Sequence, residues 1–398
     1  MKTNQSKKQM GSNWQIKRLG EVCEMQKIKN SIGNLTYVGM ENIESNTGHF
    51  IGSLTPKEVK SLTFYFNSSH ILYGRLRPYL NKVFLPNFEG HCSTEIFPIK
   101  VNDSLYKKYL FYWLTCDEIV RRINATCTGA RMPRANMRKF FEIQIPLPPL
   151  PTQHRIVKIL GEVFGHIAKA KENAEKNLQN AKELFESYLQ SFFANQGKGW
   201  EEKKLGEIAS EMMTGPFGSM LHKSDYVEVG TPVVNPQNIV SGKIIPLQKT
   251  MITAKPTLRL KKYMLRKNDI VMARRGEMGR CALVTDNEVG WLCGTGSLVI
   301  RLKNIADEKF INTYLSSDKS KEALLKASIG TTMSNLNQGI LSDLAISLPP
   351  LPQQKSIVAK LDFLSAQIRK LEAIYKQKLA DLEELKKSVL QKAFSGGL

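Results

Sequence analysis

The chain has 398 residues, with 57 Lys and Arg against 36 Asp and Glu for a formal charge of +21, and 42% of its residues are apolar. That length gives room for two domains with cores of their own. No stretch reaches the roughly 18 to 20 uncharged apolar residues of a membrane span, and Met1–Met10 is polar and basic without the apolar core of a signal peptide, so a soluble, cytoplasmic protein is expected.

In chain order, strand-like stretches at Tyr37–Met40, His70–Tyr73, Lys82–Leu85 and Glu95–Val101 are broken by Gly, Pro and Asn turns, and a helical run at Tyr106–Ile123 follows. Leu147-Pro148-Pro149-Leu150-Pro151 then stops the last strand, and the period changes to that of a helix. Apolar residues at Ile156, Leu160, Val163, Ile167, Ala170, Ala174, Leu178, Ala181, Phe185, Tyr188 and Phe192 form a narrow stripe on it. The strand pattern then returns at Thr231–Val234, Asp269–Ala273, Cys281–Thr285 and Ser297–Arg301, with a helical run at Glu308–Ala327. Leu348-Pro349-Pro350-Leu351-Pro352 opens a second seam helix through Ile357, Leu361, Leu364, Ile368, Leu371, Tyr375, Leu379, Leu382, Leu385 and Val389.

The second proline string lies 201 positions after the first, and Gln153 with Gln354, Ile156 with Ile357 and Leu160 with Leu361 keep that offset. Trp14…Leu19-Gly20-Glu21 answers Trp200…Leu205-Gly206-Glu207, Asn42-Ile43 answers Asn238-Ile239, and Ile71-Leu72-Tyr73-Gly74-Arg75 answers Ile270-Val271-Met272-Ala273-Arg274. A period near 200 is far too long for a solenoid, whose repeats run to about 50 residues. The pattern predicts a tandem duplication of a mixed α and β module plus helix. Neither seam helix is expected to hold alone in water, so each is the other's partner, in an antiparallel coiled coil with pseudo-twofold symmetry. About 40 residues at 1.5 Å each makes it roughly 60 Å long.

Catalytic constellations are missing. There is no G-x4-G-K-[ST] loop, no G-x-G-x-x-G, no H-E-x-x-H and no G-x-S-x-G, and Asn235-Pro236-Gln237 stops short of the Asn-Pro-Pro-aromatic string of amino-methyltransferases. Six cysteines, Cys23, Cys92, Cys116, Cys127, Cys281 and Cys293, include no C-x2-C pair, which argues against zinc and disulfide frameworks. No metal site is expected, and the chain reads as a recognition or assembly subunit rather than an enzyme.

The charge is concentrated in the modules. Residues 1–151 carry 21 basic and 11 acidic side chains, and residues 200–352 carry 20 and 15. Such a field favours polyanions. Arginine suits both guanine O6 and N7 and phosphate through its planar donor fork. Candidate DNA contacts are Arg75 and Arg77 after the strand at His70–Tyr73, and Arg274, Arg275 and Arg280 at the matching place in the second half. Arg131 and Arg134 precede the first proline string; their counterpart carries Thr332 and Asn335, a hydroxyl and an amide, of which the amide suits adenine N6 and N7. Lys223, beside the glycine-rich Gly215–Ser219, completes the set. For any one arginine the competing reading is a solvated charge or a salt bridge to Glu95, Glu142 or Glu277.

The duplicated L-P-P-L-P-x-Q-x-x-I-V string, the Trp…Leu-Gly-Glu openings and the Asn-Ile pairs resemble the specificity subunits of type I restriction–modification systems over nearly the whole chain. The first copy departs at Gln144-Ile145 and Thr152-Gln153-His154, where a family member often carries a Glu before the Gln. The resemblance implies target recognition domains at 1–151 and 198–352, and conserved helices at 152–197 and 353–398. It implies an asymmetric, bipartite site in double-stranded DNA, with the helices setting its spacer and docking two methyltransferase subunits, to which motor and nuclease subunits add. It also implies that S-adenosylmethionine, ATP and Mg²⁺ belong to those partners and none to this chain. The alternative is a coiled-coil scaffold whose basic modules bind RNA or protein; a fused DNA-cutting or DNA-modifying enzyme is disfavoured by the missing motifs.

Overall fold

The computed structural model describes residues 13–29, 34–129, 131–195, 197–217, 220–248, 250–253, 258–276, 279–328 and 336–398, without the side chains of Lys223 and Ser328. The chain divides into two units, one of Met1–Lys176 with Tyr375–Leu398 and one of Asn177–Ile374.

Unit 1 holds an antiparallel four-stranded sheet in the order Cys23–Met25, Ile96–Val101, His70–Gly74, Val83–Phe84. A second sheet pairs Gly90–Ser93 with Thr36–Val38 in parallel and with Thr63–Phe66 in antiparallel fashion. A ribbon of Gln15–Arg18 against Gln144–Leu147 brings the start of the module to its end. Unit 2 repeats this plan. Its four-stranded sheet runs Ala209–Thr214, Ser297–Leu302, Ile270–Ala273, Cys281–Leu283, its ribbon pairs Glu201–Lys204 with Ala345–Leu348, and Thr231–Val234 lies parallel to Leu292–Cys293. The duplication seen in the residues is thus a duplication of strand order in the four-stranded sheet and of register in the ribbon, while the second sheet of unit 2 adds Met251–Ile252 and Tyr226–Val227. The matched asparagines act alike: Asn42 Oδ1 accepts the Gly39 amide at 2.8 Å and Asn238 Oδ1 accepts the Asn235 amide at 3.0 Å, each closing a one-turn 3-10 helix.

Each helical run predicted as one element is two. Lys107–Leu114 ends at Thr115, and Cys116 adopts an extended backbone before Asp117–Asn124. Glu308–Ser316 likewise ends at an extended Ser317, whose hydroxyl donates to the Tyr314 carbonyl at 2.6 Å before Asp318–Ser328 begins. A hydroxyl able to bond a local carbonyl, followed by an acid suited to a helix N-terminus, competes with continuation of the helix.

The two long helices are Leu150–Ala194 and Leu351–Ser395. The first half of one and the last part of the other enter each core. In unit 1, Ile156 and Leu160 join Leu390 and Phe394 around Tyr109 and Trp113; in unit 2, Ile357 and Leu361 join Phe193 around Phe310 and Tyr314. Phe394 meets Tyr109 edge-on at 5.0 Å, and Phe193 meets Tyr314 at 5.2 Å. Within unit 1 the helices run antiparallel, as Lys171 Nζ reaches Glu383 Oε1 at 2.8 Å while Lys386 lies over the Phe164 ring at 5.5 Å.

The predicted stripe needs one correction. Ile156, Leu160, Ile167, Leu361 and Ile368 are buried and Leu178, Leu364 and Leu382 are half-buried, but Tyr188 and Leu371 are each 40% exposed and Leu385 47%. After Ile368 the inward positions are Glu372, Tyr375, Leu379, Leu382, Lys386 and Val389. The steps alternate four and three, which places Leu371 and Leu385 one residue off the seam. Long charged side chains fill two turns with their aliphatic stems. Among the described residues no helix is long and apolar enough to cross a membrane.

Candidate nucleic-acid interface

Two loops meet at the end of the strand His70–Gly74 in unit 1. The Arg75 amide donates to Glu95 O at 2.9 Å, the Ala135 amide donates to Arg75 O at 2.9 Å, and the Arg77 amide donates to Pro133 O at 2.7 Å. Thr128 and Arg134 exchange both backbone hydrogen bonds at 3.2 Å, which pairs the two residues in antiparallel fashion. Arg77 has φ +50°, an uncommon left-handed conformation for a non-glycine residue, held by the Pro133 bond on one side and the one-turn helix Pro78–Leu80 on the other.

This frame gathers Arg75, Arg77, Arg131 and Arg134 on one strip. Arg77 and Arg131 are exposed, as are the neighbouring Tyr79 and Met132. Arg75 and Arg134 share Glu95: Arg75 Nε donates to Oε2 at 2.9 Å, and Arg134 donates from Nε and Nη2 to Oε1, each at 2.9 Å. Partial burial pushes the Glu95 carboxyl up, but the two guanidinium partners outweigh it and hold the acid below its ordinary value. Three charges reduce to one net positive charge at the centre of a strip with two further exposed arginines.

In unit 2 the same backbone carries different chemistry. The Arg274 amide donates to Gly296 O and the Leu336 amide to Arg274 O, each at 2.9 Å, so Gly296 stands where unit 1 has Glu95. Arg274, expected to contact DNA, is instead 6% exposed. Its Nε donates to Leu336 O at 3.0 Å, its Nη1 to Thr295 O at 3.5 Å, and its guanidinium lies over the Phe217 ring at 5.1 Å. With no carboxylate at position 296 to hold it outward, the side chain folds in to satisfy loop carbonyls. Burial, then the charge of Arg275, lowers its pKa. Arg275 itself is exposed. Arg280 is half-buried and donates to Pro236 O at 3.1 Å. The Lys223 side chain, Thr332 and Asn335 lie outside the described residues.

Sequence reasoning passed over Lys82. Its Nζ donates to Met40 O at 2.6 Å, the bond that Arg280 makes to Pro236 O in the other copy. The signal was available, because Lys82 precedes Val83 as Arg280 precedes Cys281 in matching strands. A second buried cation of unit 2 is also structural: Arg301 meets Asp269 at 2.9 Å and Glu211 at 2.5 Å. Among the described residues no three His, Cys, Asp or Glu side chains group as a metal site.

Residues 11–177 and 197–384 each match the model of the type I restriction modification DNA specificity domain. The chain belongs to that family. As a specificity chain it is 25% identical to the type I restriction enzyme MjaVIII specificity subunit of Methanocaldococcus jannaschii over 411 residues, covering 96% of this chain and 92% of that protein. It is 30% identical to the type I restriction enzyme EcoDI specificity subunit of Escherichia coli over 193 residues, covering 47% of this chain and 42% of that protein, so that match spans less than half of either. Its fold superposes with a TM-score of 0.81 and 23% identity on a chain from a structural study of complex assembly and conformational transition of the type I R-M system, covering 98% of this chain and 99% of the other. On the HsdS subunit from Thermoanaerobacter tengcongensis the TM-score is 0.67 with 22% identity and 98% coverage of both. In this specificity chain the two family matches fall one on each copy of the duplicated plan.

Proposed function

We propose that this specificity chain addresses a type I restriction–modification complex to a bipartite, asymmetric site in duplex DNA, unit 1 reading one half and unit 2 the other. The observation that carries the reading is the pairing of one backbone plan with unlike side chains at matched positions: Glu95 against Gly296, Ala135 against Leu336, an outward Arg75 against an inward Arg274. One scaffold with two sets of loop chemistry suits two different half-sites.

The long helices dock two methyltransferase subunits, and motor and nuclease subunits join through them. Support comes from apolar side chains that the helices leave uncovered: in unit 2, Leu184, Tyr188, Phe363 and Leu364 line a groove of about 540 Å³. Monomer surfaces seldom keep such patches without a partner. Methyl transfer, ATP hydrolysis and Mg²⁺ chemistry are assigned to those partners, and this chain supplies the address.

Single-molecule methylation mapping of DNA from cells expressing the chain with modification subunits tests this. The expected result is one motif of two unlike half-sites around a fixed spacer, lost when the chain is deleted. A single continuous motif, or methylation indifferent to the deletion, would refute it.

A further inference from the structure

Arg75 and Arg134 come from separate loops and converge on one carboxylate. They use it differently. Arg134 spends Nε and Nη2 on Glu95 and turns Nη1 toward Met132 O at 3.4 Å. Arg75 meets Glu95 through Nε, and its guanidinium lies over the Phe97 ring at 5.1 Å. Its two terminal nitrogens donate to no other described residue. The Arg75 side chain is therefore fixed by an acid at its inner edge and a ring on its face, and remains 32% exposed.

Unit 2 serves as an internal control. Where Glu95 is replaced by Gly296, the matching Arg274 turns inward to loop carbonyls. An acid at this position accompanies a presented arginine, and a glycine accompanies a withdrawn one.

We infer that Glu95 is a positioning residue for sequence reading in unit 1: it holds Arg75 with its outer edge toward the O6 and N7 acceptors of a guanine. Unit 2 does not read through Arg274. The inference rests on the reading of unit 1 as a duplex reader. A fixed planar fork matches two acceptors on one base edge as well as it matches a phosphate. One physical point favours the base. The Glu95 carboxylate, directly behind the guanidinium, repels a phosphate group there far more than the neutral edge of a base.

The experiment selects bound sequences from a randomised duplex pool with the full-length chain, wild type and with Glu95→Gln, Glu95→Asp or Arg75→Lys. Glu95→Gln keeps the shape and removes the charge; Glu95→Asp keeps the charge and withdraws it by one methylene. The wild type is expected to demand a guanine at one position of one half-site. Arg75→Lys and Glu95→Gln should relax that preference by about tenfold, on the scale of a lost bidentate contact, and Glu95→Asp by less. The other half-site should stay unchanged, and Glu95→Gln should bind random duplex at least as well as the wild type.

If Arg75→Lys loses the guanine while Glu95→Gln keeps it, Glu95 has no positioning role. Fading of the whole half-site together with a lower melting temperature would make Glu95 a structural residue only. A uniform loss over all sequences on Arg75→Lys, with the salt slope reduced by about 1, would make Arg75 a phosphate contact. A wild-type chain that selects no sequence would overturn the reading of unit 1 itself, an outcome separate from these.

Discussion

Gln153 Oε1 accepts the backbone amide of Tyr106 at 2.8 Å. Its Nε2 donates to Ser104 O at 2.9 Å and to Pro148 O at 2.8 Å, so one buried side chain closes three backbone groups between the proline string and the loop that enters the helix Lys107–Leu114. Gln354 does the same in unit 2, with the Asp307 amide at 2.7 Å, Pro349 O at 2.8 Å and Ile305 O at 3.3 Å. Gln354→Ala leaves those groups unpaired in a dry site, at about 1–3 kcal/mol for each group that water does not reach. Hydrogen exchange is expected to quicken in residues 305–316 and 351–361 while unit 1 keeps its protection. Unchanged exchange at Asp307 would show that the bond does not hold the junction.

The glutamine and the prolines were legible because each occurs twice at one offset, so the two copies vouch for each other; the ribbon was not, since its partner strands lie more than a hundred residues apart. The arginines were not. Arg75 and Arg274 follow nearly identical strands, yet one is presented and the other withdrawn, and the difference lies at Glu95 and Gly296, about twenty residues along the chain. Local pattern carries no information on a partner brought in by sheet pairing. The stripe of the second helix was legible except at Leu371 and Leu385, where it slipped by one residue, because an apolar residue beside the seam looks the same as one within it until Glu372 and Lys386 are seen facing inward.

That slip yields a direct comparison. Leu361 is buried in the core of unit 2, whereas Leu371 is exposed on the same helix. Leu361→Ala is expected to destabilise unit 2 by about 2–5 kcal/mol and Leu371→Ala by about 0.5 kcal/mol or less. Urea unfolding of the two variants checks it, and equal losses would restore Leu371 to the seam.

Thiol chemistry offers a footprint of the interface. Burial pushes Cys23 and Cys293 to about 12 and Cys281 to about 11, and it raises Cys92 and Cys116 as well. Cys127 is the half-buried thiol among the six, its pKa also raised by partial burial. At pH 8 a maleimide should label Cys127 first and the other five only on unfolding. Cys127 precedes Thr128, whose backbone pairs with Arg134, so duplex covering the arginine strip should slow the labelling. Labelling of the bound chain at the unbound rate would place the duplex elsewhere.

Acid should weaken unit 1 through Glu95. Its carboxyl is held below the ordinary value of 4.5 by Arg134 and Arg75 against the upward push of burial. A depressed acid contributes stability that is fully present above its unfolded value and is lost as pH falls through the folded one. Above about pH 5 the wild type should therefore melt higher than Glu95→Gln, and the gap should close as the pH drops below 4.5. The gap is modest because the group is partly exposed. Parallel melting curves across that window would remove the ion pair from the account.

Arg274 and Arg275 are neighbours with opposite expected phenotypes. Arg274 is buried against Leu336 O and Thr295 O, so Arg274→Ala leaves a void and unpaired carbonyls in unit 2, a loss of about 1–3 kcal/mol. Arg275 is exposed and contributes charge rather than packing. Arg275→Ala should leave the melting temperature within about 1 °C, weaken duplex binding, and lower the salt slope by about 1 if its contact is to phosphate. Thermal melts and salt-dependent binding of both variants separate the two roles. Should Arg274→Ala lose affinity at full stability, its guanidinium must swing out to the duplex, and the inward position would describe only the unbound chain.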